Sequence, residues 1–184
     1  MPKYSSQELI KNPIRREELE QIIEIAKPRD KFIIAFLWLT GARINEVAKK
    51  LKKSAGRVEG DFLVFTIETE KKRRGQPLIR DVPIPLNDPL ARIVLQKWEQ
   101  LSEEDYLIPI SARRVRQLLR KYRIRGQGLS PHLLRHSRAT YLKREKGFDA
   151  LELTRFFGWQ DTRPAEKYAH IGYKDLAEKL GSKF

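Results

Sequence analysis

The segment 31–39, with the sequence KFIIAFLWL, constrains the fold more than any other part of the chain because it is apolar on almost every side. Other elements have to cover such a helix all the way round, so the segment predicts a central, buried helix. We expect no membrane-spanning helix, because no apolar run of the chain reaches the ~18 residues that crossing a bilayer requires.

Hydrophobic periodicity predicts that most of the remaining chain is helical as well. Further helices are predicted over 15–26, 43–51, 88–101, 111–123, 130–146, 149–157, 161–170 and 173–180. Pro28 is expected to break the first of these, and the glycine-containing segment 125–128 is expected to be a flexible link.

A β-branched and aromatic stretch at 57–69, turning at Gly60-Asp61, pairs with the segment 78–84 in a predicted small antiparallel sheet. Pro83 and Pro85 are expected to end the last strand, and the charged turn 70–76 forms a basic hairpin tip. The expected fold class is therefore α+β, mostly α. At 184 residues the chain suits one domain, with 1–12 as a loose lead-in and 13–184 as the domain.

The charge of the chain points to an anionic partner. Lys and Arg number 38 against 24 Asp and Glu, a net charge of +14. The window 111–146 holds twelve of the basic residues and one acid, so it alone carries +11, and this concentration favours nucleic acid over a merely solvated face. On the predicted helix 111–123 the apolar residues share one arc, and the opposite half carries the predicted DNA contacts Arg113, Arg114, Arg116, Arg120, Lys121 and Arg123.

The residue types that are scarce exclude several kinds of site. The chain has no Cys, so it has no disulfide, thiolate metal site or thiol nucleophile. With three His and no acidic cluster suited to Mg²⁺, we expect neither a metal ion nor a cofactor. High charge, no Cys and a single Met fit a heat-adapted source.

Two arginines stand beside segments predicted to be buried, where an unpaired charge is costly. Arg43 directly follows the central helix; it forms either a salt bridge with Glu46 or a phosphate contact that Glu46 orients. Arg135 shares a helix face with His132 and also calls for an anion. Taken singly, the remaining candidates have simpler structural interpretations as core or packing residues: His132, His136, Trp159 and Tyr168.

Three segments in a fixed order change that interpretation: TGARINEV at 40–47, PHLLRHSRAT at 131–140, and FGW at 157–159 followed by YAH at 168–170. Together they resemble the tyrosine recombinase (integrase) family, over about residues 12–172 and in a form suited to a heat-adapted archaeal, viral or plasmid source. The resemblance implies the helical catalytic-domain fold of that family. The family's N-terminal DNA-clamping domain has no counterpart, so the chain is expected to be the catalytic domain only.

The resemblance also implies DNA cleavage and rejoining through a covalent 3′-phosphotyrosine. Tyr168 would attack phosphorus, Arg43 and Arg135 would clamp the phosphate, and His132 would accept or relay the phenol proton. Two further groups are implied: an acid for the leaving oxygen, Lys71 or its rival Lys72, and Trp159, whose indole N–H would hold a phosphate oxygen and whose ring would pack the site. Lys71 is preferred because it follows Thr69-Glu70 at the strand end. Glu46 and His136 would support these groups.

The implied partner is double-stranded DNA, on which the chain would assemble as a dimer or tetramer in the cytoplasm, with the nucleoid. Arg73 and Arg74 of the hairpin tip would add DNA contacts. Two alternatives are a type IB topoisomerase, which shares this chemistry, and a non-catalytic DNA-binding module that uses the helix 111–123.

Overall fold

The computed structural model describes residues 12–70 and 78–168. The predicted lead-in (apart from Asn12), the hairpin tip and the helix predicted over 173–180 lie outside the described residues.

The helix α2 (Pro28–Thr40) forms the centre of the molecule, as the sequence predicts. All its side chains from Phe32 to Thr40 are buried. Pro28 does not simply break α1 (Arg16–Ile25); it occupies the first turn of α2, where its missing N–H costs nothing. The helix packs mainly against α4 (Pro89–Glu99) and α6 (Pro131–Glu145), and ends at Gly41 in the left-handed conformation.

A three-stranded antiparallel sheet of β1 (Gly56–Glu59), β2 (Phe62–Glu68) and β3 (Ile79–Pro85) covers one side of this core. Phe65 pairs with Val82 in the middle of the sheet. Pro83 and Pro85 were expected to end β3; Pro85 is its last residue, but Pro83 lies within it. They are tolerated because β3, among the described residues, pairs only with β2 and is an edge strand.

Three of the described helices are clearly shorter than predicted, among them the one expected over 161–170, of which Arg163–Glu166 is helical within the residues up to 168. The helix α3 (Ile44–Val47) stops before the predicted end at residue 51, because Ala48 pairs with Ile108 and the Lys49 N–H donates to the Ile108 carbonyl at 2.9 Å. The helix α5 (Ala112–Leu119) stops before residue 123, where the chain enters the strand β4.

The flexible link predicted at 125–128 is wrong. The strands β4 (Arg123–Ile124) and β5 (Gln127–Gly128) form a hairpin whose turn residues, Arg125 and Gly126, have φ of 49° and 78°. Positive φ at both turn residues is what a two-residue hairpin with right-handed twist requires.

The last described helices bring distant segments to the C-terminal end of α2. Ser130 Oγ caps α6 by accepting a hydrogen bond from the Leu133 N–H at 3.1 Å. Asp149 caps α7 (Ala150–Phe157), which ends at Gly158, and the short α8 (Arg163–Glu166) leads to Tyr168. No helix in 12–70 and 78–168 is long and apolar enough to span a bilayer.

Candidate active site

Arg135 lies where the ends of α2 and α7 meet, at the first turns of α6. Its Nη1 donates to the Gly41 carbonyl at 2.5 Å and its Nη2 to the Phe157 carbonyl at 2.9 Å. Gly41 is required there, because a Cβ would collide with the Phe157 ring. The sequence predicts only that Arg135 is buried and seeks an anion; the two carbonyl contacts explain how its position is fixed.

The charge of Arg135 is not neutralised by a carboxylate in ion-pair contact within the described part of the chain. The side chain is buried, and burial followed by repulsion from Arg43 lowers its pKa to about 9, although Glu46 acts in the opposite direction. A buried cation in this state binds an anion favourably, because the anion restores the lost charge compensation.

Arg43 belongs to a second arrangement, which contains the salt bridge with Glu46 that was one of the two interpretations of its sequence position. Glu46 Oε1 accepts from Arg43 Nη1 at 2.9 Å and Glu46 Oε2 from the Arg43 N–H at 2.9 Å. The Arg43 side chain nevertheless keeps 24% of its surface exposed. Glu46 therefore orients Arg43 without closing it off from a ligand.

Arg80 completes this arrangement, and the sequence analysis missed it. Its Nη2 donates to Glu46 Oε2 at 2.9 Å, and both side chains are buried. Burial alone would raise the pKa of Glu46, but the charge and hydrogen bond of Arg80 lower that pKa below its usual value. The available signal was the two-residue alternation of β3, which places Arg80 on the same inward face as Val82 and Ile84.

The two histidines of α6 lie one helical turn apart, with their rings edge to face. His132 Nε2 and His136 Nε2 are 2.8 Å apart. His136 Nδ1 is hydrogen-bonded to Tyr168 Oη. His136, expected only to support the site, therefore contacts the phenol itself, with His132 beyond it.

The aromatic residues of the third sequence segment form a stack. The Trp159 ring lies 5.0 Å from that of Phe157 and 6.0 Å from that of Tyr168, with planes 19° and 5° apart. The guanidinium of Arg135 lies 4.8 Å from the Phe157 centroid and 5.9 Å from that of Trp159. Trp159 thus packs between the arginine and the tyrosine, and burial raises the pKa of the Tyr168 phenol.

The two arginines of the predicted phosphate clamp and one histidine line a common cleft of about 270 Å³. It is lined by Arg43, His132 and Arg135, and by Arg116 and Arg120 from α5. The structure thus brings two predicted DNA contacts to the predicted phosphate clamp. The other four, which are not among the lining residues, are exposed: Arg113, Arg114, Lys121 and Arg123.

The basic window 111–146 presents less charge than its sequence suggests. Arg135 and Arg138 are buried, the latter against the rings of Trp38, Tyr141 and Phe156. Arg125 is paired with Glu18. The exposed charge is therefore concentrated on α5 and at the end of α6.

The predicted hairpin residues Lys71, Lys72, Arg73 and Arg74 lie outside the described residues. The strand end that leads to them is anchored beside Arg43. Asn45 Nδ2 donates to Glu70 Oε1 at 3.0 Å, and the Glu70 N–H approaches Glu46 Oε1 at 3.5 Å. Glu70, the last described residue before this gap, therefore lies at the edge of the cleft.

Comparison with known proteins gives a consistent assignment. A family model described as the phage integrase family matches residues 12–175. The tyrosine recombinase XerA of Thermococcus kodakarensis is 27% identical over 177 residues, which cover 89% of this chain and 59% of that protein. The chain thus spans about three-fifths of the length of this curated relative.

Solved structures share the fold. The XerH site-specific recombinase, in a pre-cleavage complex with its difH substrate, matches with a TM-score of 0.69 at 19% identity, over 91% of this chain and 53% of that one. The catalytic domain of bacteriophage HP1 integrase matches with a TM-score of 0.60 at 18% identity, over 93% and 94% of the two chains. The fold expected from the sequence is therefore confirmed.

Proposed function

This chain belongs to the phage integrase family of tyrosine recombinases, and on that basis we propose that it cleaves and rejoins double-stranded DNA at specific sites through a covalent 3′-phosphotyrosine intermediate. The observation that carries the proposal is the cleft in which Arg43 and Arg135, the latter buried without a carboxylate partner among the described residues, lie beside a histidine pair that leads to Tyr168. An enzyme of this kind works where DNA is, with the nucleoid in the cytoplasm.

The two guanidiniums bind the non-bridging oxygens of the scissile phosphate. Charge builds up on these oxygens in the transition state, and fixed donors in a partly dry cleft stabilise it without reorganisation. Glu46, held by Arg80, keeps Arg43 in place, and the carbonyls of Gly41 and Phe157 do the same for Arg135. A planar fork suits this task better than an ammonium group.

Tyr168 supplies the nucleophile. A bond forms between its Oη and phosphorus while the bond from phosphorus to the 5′ oxygen breaks, so the phosphodiester energy is stored in the new ester. The phenol proton is taken up through His132, and the leaving oxygen takes a proton from Lys71 or Lys72. The 5′ hydroxyl of a second strand then reverses these steps, which exchanges the strands.

The exposed face of α5 binds the DNA backbone and positions it at the cleft. Arg116 and Arg120 line it directly, and Arg113 and Arg114 extend the same basic surface. Contacts of this kind fix position and register without reading sequence. The chain is proposed to assemble on DNA as a dimer or tetramer, with one such cleft for each strand that is cut.

The test uses Tyr168→Phe, which removes the nucleophilic oxygen and keeps the ring. A pool of nicked duplexes of randomised sequence is incubated with each protein, and covalent adducts are separated on a denaturing gel. We expect adducts from the natural chain only, unchanged by EDTA because the arginines supply the positive charge.

An adduct of equal intensity from Tyr168→Phe would refute the assignment of the nucleophile. Relaxation of a supercoiled plasmid without recombination of paired sites would instead indicate a topoisomerase. Binding of DNA with no adduct from either protein would indicate a non-catalytic binding module.

A further inference from the structure

A line of three side chains connects the buried nucleophile to the cleft. Tyr168 is 8% exposed and stacked against Trp159. Its Oη is hydrogen-bonded to His136 Nδ1, and His136 Nε2 lies 2.8 Å from His132 Nε2. His132 is exposed and lines the cleft. Among the described residues, the path of hydrogen bonds from the phenol to the cleft therefore passes through His136 before it reaches His132.

We propose that His136 is a catalytic residue: it takes the proton of the Tyr168 phenol and passes its own Nε2 proton to His132. The inference rests on the proposed function. As Tyr168 Oη bonds to phosphorus, its proton moves to His136 Nδ1, and the Nε2 proton of His136 moves to His132 Nε2. The leaving 5′ oxygen takes its proton from the separate general acid, and each transfer runs backwards on rejoining.

The positions of the ring atoms fix the proton arrangement that this step needs. The phenol donates only if His136 Nδ1 carries no proton, and a neutral imidazole then carries its proton on Nε2. That proton points at His132 Nε2, which has to be bare, so the proton of His132 is on Nδ1. Every donor in the line then faces an acceptor.

The charges around His132 and His136 make this proton transfer depend on bound DNA. His136 faces His132, Arg135, Lys167 and the phenol, and burial with these cations lowers its pKa to about 3. It is thus a neutral acceptor near pH 7 that carries one ring proton and cannot retain a second. Burial, Arg135, Arg43 and Lys167 lower the pKa of His132 as well.

A phosphodiester held by Arg43 and Arg135 offsets the positive charge that depresses the basicity of His132. The proton then has a stable destination only when the substrate is in place. Without DNA, the phenol keeps its proton, in agreement with its raised pKa.

Two amide substitutions separate proton transfer from simple hydrogen bonding. In His136→Asn the side-chain amide lies near the position of Nδ1 and keeps a contact to Tyr168. In His136→Gln it lies near the position of Nε2 and keeps a contact to His132. Neither amide accepts a proton, so we expect both variants to form the covalent adduct about 100-fold more slowly than the natural chain.

A second change tests the chemistry directly. Tyr168 is replaced by a fluorinated tyrosine, whose more acidic phenol depends less on a base, in the natural background and in His136→Asn. We expect the loss of rate caused by His136→Asn to be about tenfold smaller with the fluorinated residue, because a phenol of lower pKa needs the base less. A residue that only positions the ring would cause the same loss with both phenols.

Glu145→Gln, an exposed change on the same helix that removes no positive charge, is the matched control and should cleave at the natural rate. His136→Asn cleavage at the natural rate, or a loss that fluorination does not reduce, would overturn the proposal. Nitrogen NMR of the imidazoles in the natural chain tests it without any variant: a His136 proton on Nδ1 at neutral pH would overturn it too. Absence of any adduct from the natural chain would refute the proposed function itself, and the relay with it.

Discussion

Arg80 shows how much of the candidate site depends on a residue that touches no substrate. Its Nη2 holds Glu46, while its Nε and Nη1 have no hydrogen-bond partner among the described residues. Glu46 in turn accepts hydrogen bonds from both the main-chain N–H and the guanidinium of Arg43. Arg80 therefore keeps the Glu46 carboxylate ionised, and the ionised carboxylate orients Arg43.

Replacement of Arg80 by Met tests this order of dependence. Loss of the Arg80 charge leaves burial to act on Glu46 and raises its pKa, so the carboxylate takes up a proton as the pH falls. We expect the rate of adduct formation by Arg80→Met to fall as the pH is lowered, and to do so at a higher pH than in the natural chain. The measurement is the single-turnover rate of adduct formation against pH.

Arg57→Met, which removes a partly exposed arginine from the strand β1 of the same sheet, is the control and should keep the natural profile. A variant of Arg80 that loses rate equally at every pH would contradict a role in setting the ionisation of Glu46.

The residues of the site differ in how visible they are from sequence. Arg43, His132, Arg135 and Tyr168 occur in the three segments shared with the family, and the structure brings the first three to one cleft. The contact of Arg80 with Glu46 and the contact of His136 with Tyr168 each join segments that are far apart in the chain. Periodicity within one segment carries no information on such contacts.

At the scale of elements, the helix α5 divides its two faces sharply. Val115, Leu118 and Leu119 are buried, while the arginines on the other side are exposed. Only part of that basic side, Arg116 and Arg120, reaches the cleft. Phosphate contacts by α5 should therefore be separable residue by residue.

Salt dependence provides the measurement for this helix. We expect Arg116→Gln and Arg120→Gln each to weaken binding to duplexes of any sequence and to reduce the slope of log K against log salt by about one. Fluorescence anisotropy between about 50 and 200 mM salt gives both quantities. Arg125→Gln is the control, because Glu18 already pairs with Arg125; an equal change of slope there would mean that overall charge, and not position on α5, governs binding.

Local sequence signals predicted the existence of the described elements better than their ends. The caps at Ser130 and Asp149 and the apolar run of α2 act within a few residues, and these helices form nearly as predicted. The helix α3 is cut short by a pairing with Ile108, about sixty residues away along the chain, and β3 tolerates its prolines because it is an edge. Both outcomes depend on neighbours that periodicity does not reveal.

At the scale of the whole molecule, the described residues bury cations in two places: Arg80 and Arg135 at the site, and Arg138 among aromatic rings. Folding has to desolvate these charges, which opposes stability wherever compensation is incomplete. Arg135 is the one of these three that lines the cleft. An anion in the cleft should therefore stabilise the whole fold.

Thermal unfolding in phosphate measures this effect. At ten times its dissociation constant, a ligand that binds only the native state adds about 1.4 kcal/mol, which corresponds to about 3–6 °C for a domain of this size. We expect the melting temperature in phosphate to exceed that in chloride of equal ionic strength by this amount. The rise should be absent in Arg135→Gln and retained in Arg114→Gln, whose exposed side chain does not line the cleft; an equal rise in all three proteins would indicate a general salt effect.

The close approach of Gly41 to Phe157, held together by Arg135, also bears on which parts of such a protein can change. The chemistry rests on a joint between two core helices, where even a methyl group finds no room. The arginines of α5, in contrast, stand in solvent and can be exchanged without repacking. In a laboratory selection for altered DNA affinity, we expect accepted mutations to accumulate on α5 and to avoid the contact between Gly41 and Phe157, so that the strength of binding changes while the reaction stays the same.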